Sequence, residues 1–445
     1  MEGKGMERYR YAIVGNSAAA INACECIRDG DGKGSMVLLA EERYRCYSRP
    51  LISYLLAGKI GPSALFYRSK DFYRRMGVDF RCGERVVSVF PEEHELLTAA
   101  GRRLRWEKLL LATGSRPFVP GVEGLPESGY FTFTSWDDAR ELMKWVRPGK
   151  RALVMGAGLI GMKASEALQA RGVRVTVVEK MERILPATLD EYASGMVAER
   201  CVAHGLELLT GRSVLSVEPE KGMGGKAFLD DGSELAYDLL VVAVGMRPRS
   251  ELAVEAGLRC SGDAVLVDEH LRTSHPSIFA AGDLAAAHDL LSGRPAVNAL
   301  WPLAALQGKF AGWNMAGRKV AYPGGNPMNS VELFGMPVLS AGVVDPPDGS
   351  YRVLARKTDG GYRKVVLKDD RLVGLLLAGD IEGAGLLTAL LREGVSVRGF
   401  LTYLVEPGFG FSHLPPRWRK ERMREGCRGW GPDAPQACWE VPQKC

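Results

Sequence analysis

Residues 151–161, Arg151-Ala152-Leu153-Val154-Met155-Gly156-Ala157-Gly158-Leu159-Ile160-Gly161, decide the fold. An apolar strand over Ala152 to Met155 runs into three glycines spaced G-x-G-x-x-G. A helix follows through Ala170, Arg171-Gly172 turns the chain, and a second strand over Val173 to Val178 closes on Glu179. That order is a βαβ unit. Gly156 permits the tight turn, Gly158 lets backbone approach a pyrophosphate, Gly161 lets helix pack on strand, and the phosphate sits at the helix N-terminus. Ile160 lies in the same loop. Glu179 is placed to accept hydrogen bonds from a ribose hydroxyl pair, which fits a nicotinamide dinucleotide without a 2′-phosphate; neighbouring Lys180 and Arg183 soften that preference.

The same design occurs earlier. A strand from Arg10 ends at Val14-Gly15, Asn16-Ser17-Ala18-Ala19-Ala20 opens a helix, Gly30 to Gly34 turn, and a strand over Met36 to Ala40 closes on Glu41-Glu42. Ser17 and Ala20 stand where the second and third glycines belong. Small side chains tolerate that approach, and an ordinary structural turn would tolerate them too.

At 445 residues the chain is about three times a ~150-residue domain, so two to four domains are expected. Hydrophobic residues at 46% and charged residues at 25% exclude a chiefly disordered or fibrous chain. The longest apolar runs, such as Leu239 to Val244, stop far short of the ~20 residues that span a bilayer. Met1 to Arg10 is charged and lacks the apolar core of a signal peptide, so a cytoplasmic protein without membrane insertion is expected. A net charge of +5, with both signs interspersed, gives no nucleic-acid footprint. Nine cysteines, thinly spaced, read as reduced thiols, and six histidines form no metal-ligand cluster; no metal is expected.

Leu109-Leu110-Leu111-Ala112-Thr113-Gly114-Ser115-Arg116-Pro117, Leu240-Val241-Val242-Ala243-Val244-Gly245-Met246-Arg247-Pro248 and Ser277-Ile278-Phe279-Ala280-Ala281-Gly282-Asp283 follow in order around the two βαβ units. With them the chain resembles the pyridine nucleotide-disulfide oxidoreductases, flavoproteins with two dinucleotide-binding domains. The resemblance covers roughly residues 10 to 400. It implies an α/β protein with two Rossmann-like domains, one for FAD and one for NAD(H), plus a small α+β C-terminal interface domain. The FAD domain would be discontinuous, 1–115 with 248–325. The NAD domain would be 116–247, the interface domain 326–412 and a basic, aromatic tail 413–445. The implied cofactor-binding set is Gly15, Ser17, Ala18, Ala20, Glu41, Arg49, Pro50, Val86, Thr113, Gly114, Gly282, Asp283 and Trp301 for FAD. For NAD(H) it is Gly156, Gly158, Ile160, Gly161, Glu179 and Gly245. Asp283 would bond the ribityl chain. Asn298 to Gly308 resembles the helix that faces the pyrimidine end of the flavin, with Pro302 suiting its first turn and Trp301 either shielding the ring or anchoring the domain.

The family's paired-cysteine motif is missing. Tyr47-Ser48-Arg49-Pro50-Leu51-Ile52-Ser53-Tyr54-Leu55-Leu56-Ala57-Gly58 instead resembles the thiol-less branch of rubredoxin-, ferredoxin- and nitrite-reductase-like enzymes. The flavin-facing cysteine of the coenzyme A-disulfide reductases falls near Leu51. Cys46 reads as a small buried hydrophobe, and Cys24 and Cys26, two apart on a helix, point to different faces. The relatives usually carry a lysine where this chain has Tyr54 and a glutamate where it has Lys163, an ion pair beside the flavin. Lys163 therefore either brings a cation to the flavin, with Tyr54 as the second candidate catalytic residue, or bends out to solvent.

The expected reaction is hydride exchange between NAD(H) and FAD, with electrons passed to an iron–sulfur protein or similar partner. The run from Tyr47 and the Gly161-Met162-Lys163 variation most resemble the flavin subunits of larger oxidoreductase complexes, such as phenylglyoxylate and tungsten aldehyde oxidoreductases. Arg417 to Arg424, with Trp418, Trp430 and Trp439, reads as a docking strip or a loose extension; Cys427, Cys438 and Cys445 are too few for a cluster. A homodimer through the C-terminal domain is a further expectation. A stand-alone disulfide, polysulfide or peroxide reductase and a non-catalytic flavoprotein scaffold are the competing readings.

Overall fold

The computed structural model describes residues 6–220 and 223–420. Two compact units divide the chain, Met1–Met336 and Pro337–Cys445.

The first unit opens on β1 (Glu7–Val14), α1 (Ala18–Gly30) and β2 (Met36–Ala40). A short helix α2 (Ile52–Leu56) precedes β3 (Val78–Cys82), β4 (Val86–Phe90), β5 (Glu95–Thr98) and β6 (Arg103–Leu111). These strands form one sheet in the order β3-β2-β1-β6-β5-β4. β3, β2, β1 and β6 run parallel, while β5 pairs antiparallel with the first half of β6, at Arg103 to Arg105. The second half of β6, Leu109 to Leu111, pairs in parallel with a strand far along the chain, Ile278–Ala280. Strand order therefore reverses between β1 and β6, the crevice where doubly wound sheets bind ligands. Gly15 leaves β1 there with φ +125°, and a Cβ on it would lie 2.2 Å from the Ala112 carbonyl oxygen, so only glycine fits.

β7 (Ser115–Pro117) carries the chain out of this sheet, and α3 (Trp136–Trp145) leads into the second βαβ unit. That unit comprises β8 (Arg151–Met155), α4 (Leu159–Gln169) and β9 (Arg174–Glu179), followed by α5 (Glu191–Ala203) and β10 (Glu207–Thr210). A three-stranded antiparallel meander, β11 (Val214–Pro219), β12 (Gly225–Leu229) and β13 (Glu234–Tyr237), precedes β14 (Leu239–Val242). β10-β9-β8-β14 make a second parallel sheet. β15 (Met246–Pro248) then returns antiparallel to β7, pairing Met246 with Pro117 and Pro248 with Ser115, so the outward and homeward crossings run side by side.

After the strand Ile278–Ala280 comes α6 (Trp301–Met315), which lies on α1. Small residues set that contact. A Cβ on Gly308 would stand 2.1 Å from the Ala19 carbonyl oxygen, and one on Gly312 would stand 2.6 Å from that of Ala23. The crossing draws α6 down to the loop after β1 and puts both helix N-termini on the reversal crevice.

The second unit is an antiparallel sheet in the order Met336–Gly342, Arg371–Ala378, Gly361–Lys368, Arg352–Thr358. Its helix Ala384–Glu393 buries Leu387 and Leu390 against Val365, Leu367, Leu375 and Leu377. No described helix is long and apolar enough to cross a membrane.

Overpacking a tight crossing costs roughly 1–3 kcal/mol. Gly308→Ala is therefore expected to lower the melting temperature in calorimetry. Gly195→Ala, on α5 with nothing within 4 Å of the new methyl, is expected to hold or raise it.

Candidate active site

The N-terminal ends of the helices show the site first. Among the described residues the first unit has five helices of ten residues or more. Two begin with a side-chain cap: Ser135 accepts from Asp138 N on α3, and Asp190 accepts from Ala193 N on α5. α1, α4 and α6 have neither a side-chain cap nor an acidic residue in the first turn. Their first amides and dipoles lack an anionic partner, and these are the three helices whose starts follow the sequence motifs. The residues present thus fit two dinucleotides and a flavin ring.

In the first fold Ser17 is the N-cap of α1, Ala18 and Ala20 are buried, and the Asn16 side chain is fixed by donating to Tyr44 O (3.0 Å) and accepting from Tyr73 OH (2.6 Å). Glu41, at the end of β2, remains half-exposed and accepts from Arg249 (2.6 Å). Arg249 arrives from the homeward crossing, where Thr113 Oγ1 donates to its carbonyl and its amide donates to Gly114 O. Val86 is the first residue of β4 and is buried in the core. Gly282 turns with φ +82°, and its amide donates to Gln307 of α6 (2.7 Å). Asp283 accepts from Ser115 Oγ (2.7 Å). Burial raises its carboxyl pKa, against the lowering effects of Ser115 and the Arg49 charge. Arg49 itself binds Thr134 O and Glu42, whereas Pro50 is exposed. Trp301 opens α6 and meets the Tyr67 ring edge-on at 5.2 Å.

The second fold separates the duties of its glycines. Gly156 takes φ +98°, with its Cβ position 2.5 Å from Ala243 O, and a Cβ on Gly161 would meet Gly156 O at 2.0 Å. Gly158 has nothing within 4 Å: that face is open, as an approaching pyrophosphate requires. Ile160 is half-buried beside it, and Gly245, φ +144°, is exposed near Phe118. The Glu179 carboxylate bridges Ala157 N (2.7 Å) and Met181 N (2.9 Å), which points it at the glycine loop.

Lys163 and Tyr54 are brought together. The ammonium lies 5.3 Å from the Tyr54 ring centroid, and a second one, Lys59, lies 5.7 Å from it. Lys163 does not reach into open solvent; it donates to Glu166 on its own helix and to the Glu332 carbonyl (3.1 Å). Glu166 escaped the sequence reading although its i, i+3 spacing was visible. Arg249, Ser115 and Gln307 escaped it because their partners are distant along the chain.

No described cysteine lines the cleft that holds Tyr54 and Lys163. Cys46 is 1% exposed, its backbone amide donates to Tyr73 OH, and burial pushes its thiol pKa up. Burial also pushes Cys26 and Cys201 up to about 12. Among the described residues no group of three or more His, Cys, Asp or Glu could hold a metal. Cys427, Cys438, Cys445, Trp430 and Trp439 lie outside the described residues.

Residues 9–308 match the pyridine nucleotide-disulphide oxidoreductase family. The chain belongs to that family. Residues 327–395 match the rubredoxin NAD+ reductase C-terminal domain. The chain is 31% identical over 393 residues to the NADH-dependent phenylglyoxylate dehydrogenase subunit epsilon of Aromatoleum evansii, covering 87% of this chain and 92% of that one. It is 31% identical over 282 residues to the rubredoxin-NAD(+) reductase of Pseudomonas putida, covering 63% and 73%. It spans 50% of the length of the assimilatory nitrate reductase electron transfer subunit of Bacillus subtilis, at 29% identity over 87% of this chain. Putidaredoxin reductase, in its covalent complex with putidaredoxin, shares the fold with a TM-score of 0.82 at 22% identity, over 94% of this chain and 99% of that one. The chain is thus an oxidoreductase of this family whose cofactors are FAD and NAD(H).

Two outcomes test the site. A hydrogen bond to a charged group contributes roughly 1.5–3 kcal/mol, so Glu179→Gln, which keeps an acceptor for Ala157 N, is expected to raise KM for NADH about tenfold and narrow the gap to NADPH. An unchanged KM would remove Glu179 from the ribose site. Because the folded-state pKa of Asp283 is raised, the folded chain holds a proton there that the unfolded chain releases above about pH 3.9. Stability is lost as pH rises through the raised value. Asp283→Asn is expected to raise the melting temperature of FAD-stripped protein at neutral pH while weakening FAD retention.

Proposed function

We propose that the chain is the flavin-bearing component of an electron-transfer system, exchanging hydride with NAD(H) and electrons with an iron–sulfur or similar redox protein, as one subunit of a larger oxidoreductase complex. The observation that carries this reading is what meets between the two dinucleotide folds: an ammonium on an aromatic ring, Lys163 on Tyr54, with no cysteine among the described residues that line that cleft. FAD and NAD(H), when bound, supply the hydride chemistry. The chain's own residues bind and orient them.

The uncapped amides of α1 and α4 would take the two pyrophosphates, and those of α6 the negative charge at the pyrimidine end of the flavin. Glu41, held by Arg249, and Glu179, aimed at its loop, would take the ribose hydroxyls. Asp283 would take the ribityl hydroxyls, and Arg49 and Trp301 would close the flavin's sides. Lys163 and Tyr54 would face the hydride-transfer region, where a low-dielectric setting makes one charge weigh heavily on the reduced state.

Similarity to a dehydrogenase subunit and to a rubredoxin reductase supports an external electron acceptor or donor. A cytoplasmic setting, a homodimer through residues 326–412, and docking through the basic, aromatic residues from 413 onward belong to the same reading.

The test is stopped-flow bleaching of the flavin by NADH before and after alkylation of the native protein with iodoacetamide. Rapid bleaching, with onward electron transfer to a one-electron acceptor unchanged by alkylation, is expected. Turnover lost on alkylation would instead support a disulfide, polysulfide or peroxide reductase, and sluggish bleaching in untreated protein would support a scaffold. Lys163→Met, which removes a cation and leaves Glu166, is expected to lower the flavin midpoint potential and slow reduction by NADH.

A further inference from the structure

Lys163 is surrounded by more structure than a free surface cation needs. Its ammonium donates to one oxygen of Glu166 and to the Glu332 carbonyl (3.1 Å), and its remaining side faces the Tyr54 ring. The other Glu166 oxygen accepts from Phe334 N (3.1 Å), and Phe334 O accepts from Arg200 Nε on α5 (3.0 Å). The Lys163 and Glu166 side chains are 20% and 14% exposed, so the pair is screened less than an ordinary surface pair.

A carboxylate that spends one oxygen on an ammonium and the other on a main-chain amide cannot rotate without breaking one of the two bonds. The i, i+3 spacing on α4 fixes the distance between the two side chains. Segment 332–334, itself held to α5, closes the arrangement from outside. Lys163 is thereby given one place to stand. The charge balance at Tyr54 needs the same residue. Two ammoniums, Lys59 and Lys163, approach one ring, and like charges there repel unless one is compensated. Glu166 is the carboxylate bonded to Lys163, and it shares the small cleft between α2 and α4 with Ser53, Tyr54 and Lys59.

We infer that Glu166 is a positioning residue for hydride transfer: it sets where the Lys163 ammonium stands over Tyr54 and how much of its charge reaches the flavin. The inference rests on the assignment of Lys163 to the hydride-transfer region.

The experiment is a double-mutant cycle on FAD-loaded protein, using Glu166→Gln, Lys163→Met and the pair together. Gln keeps an acceptor for Phe334 N, so the closure from segment 332–334 stays, while the negative charge and the oxygen that accepts from Lys163 are removed. The readouts are the flavin midpoint potential, the limiting rate of reduction at saturating NADH, and the dissociation constant for NADH. Glu166→Gln is expected to raise the midpoint potential and change the limiting rate about tenfold, with the NADH dissociation constant held within twofold. In the Lys163→Met background the same substitution is expected to change the limiting rate less than twofold. Equal effects in both backgrounds, or an effect confined to NADH affinity, would overturn the positioning role while leaving Lys163 in place. A silent Lys163→Met would overturn the assignment of Lys163 and this inference with it. Glu166→Asp, which shortens the reach but keeps the charge, is expected to restore the midpoint potential and not the limiting rate; full recovery of both would show that charge alone matters and overturn positioning.

Discussion

Backbone amides left without partners at the starts of three helices govern the rest of this structure. A folded chain satisfies such groups wherever it can, because an unpaired polar group shielded from water costs as much as a lost hydrogen bond. Among the long helices described in the first unit, Ser135 and Asp190 satisfy them on α3 and α5, where no cofactor is expected, whereas α1, α4 and α6 are left uncapped. The geometry that brings those three starts to a ligand is built from close approaches at glycine. Gly15 passes against the Ala112 carbonyl, Gly161 against that of Gly156, and Gly308 against that of Ala19. A side chain at any of them would push a helix off its strand or off its partner helix, and the amides would move with it. A ligand that binds only the folded chain adds its binding free energy to stability, so cofactor retention and fold stability are linked.

That linkage explains which parts of the molecule could be read along the chain. Strand, turn and helix in each βαβ unit are local, and residue types report them directly: apolar runs of four or five, glycine where φ turns positive, an acid at the strand tip. The side-chain bonds that finish the site are not local. Glu41 meets Arg249, Asp283 meets Ser115, and Gly282 meets Gln307, each joining segments that only the folded sheet brings together. Nothing in the composition around Arg249 sets it apart from other exposed arginines. Glu166 is the opposite case. Its spacing from Lys163 is plain, but an i, i+3 Lys–Glu pair is commonplace on exposed helix faces, and only partial burial and the bond to Phe334 N distinguish this one.

Cys46 shows how burial separates a residue's place in the sequence from its local chemistry. Cys46 sits only three residues before Arg49, yet its neighbours are Tyr73 and Tyr67, and burial raises its pKa rather than lowering it. A thiol serves as a nucleophile through its thiolate. An environment that disfavours the thiolate makes Cys46 a packing residue despite its position next to the Arg-Pro element.

On the proposed reading, with no cysteine among the described residues of the cleft that holds Tyr54 and Lys163, electron flow would have to be controlled by means other than a thiol. A redox-active cysteine pair stores two electrons in covalent form and can hold them until a substrate arrives. Charges store nothing, but they set the balance between oxidised and reduced states continuously, and their effect grows as water is excluded. On the proposed reading Lys163, Glu166, Lys59 and Tyr54 would form such an arrangement: two ammoniums, one carboxylate and a polarisable ring, carried by α4, by α2 and by the turn just after α2. Moving the carboxylate by one helical turn, or neutralising it, changes how much positive charge is left exposed to that junction without altering any covalent chemistry. Adjustment of this kind would suit the proposed hand-over of single electrons to a redox protein, whose potential, rather than a substrate's disulfide bond, the flavin would then have to match.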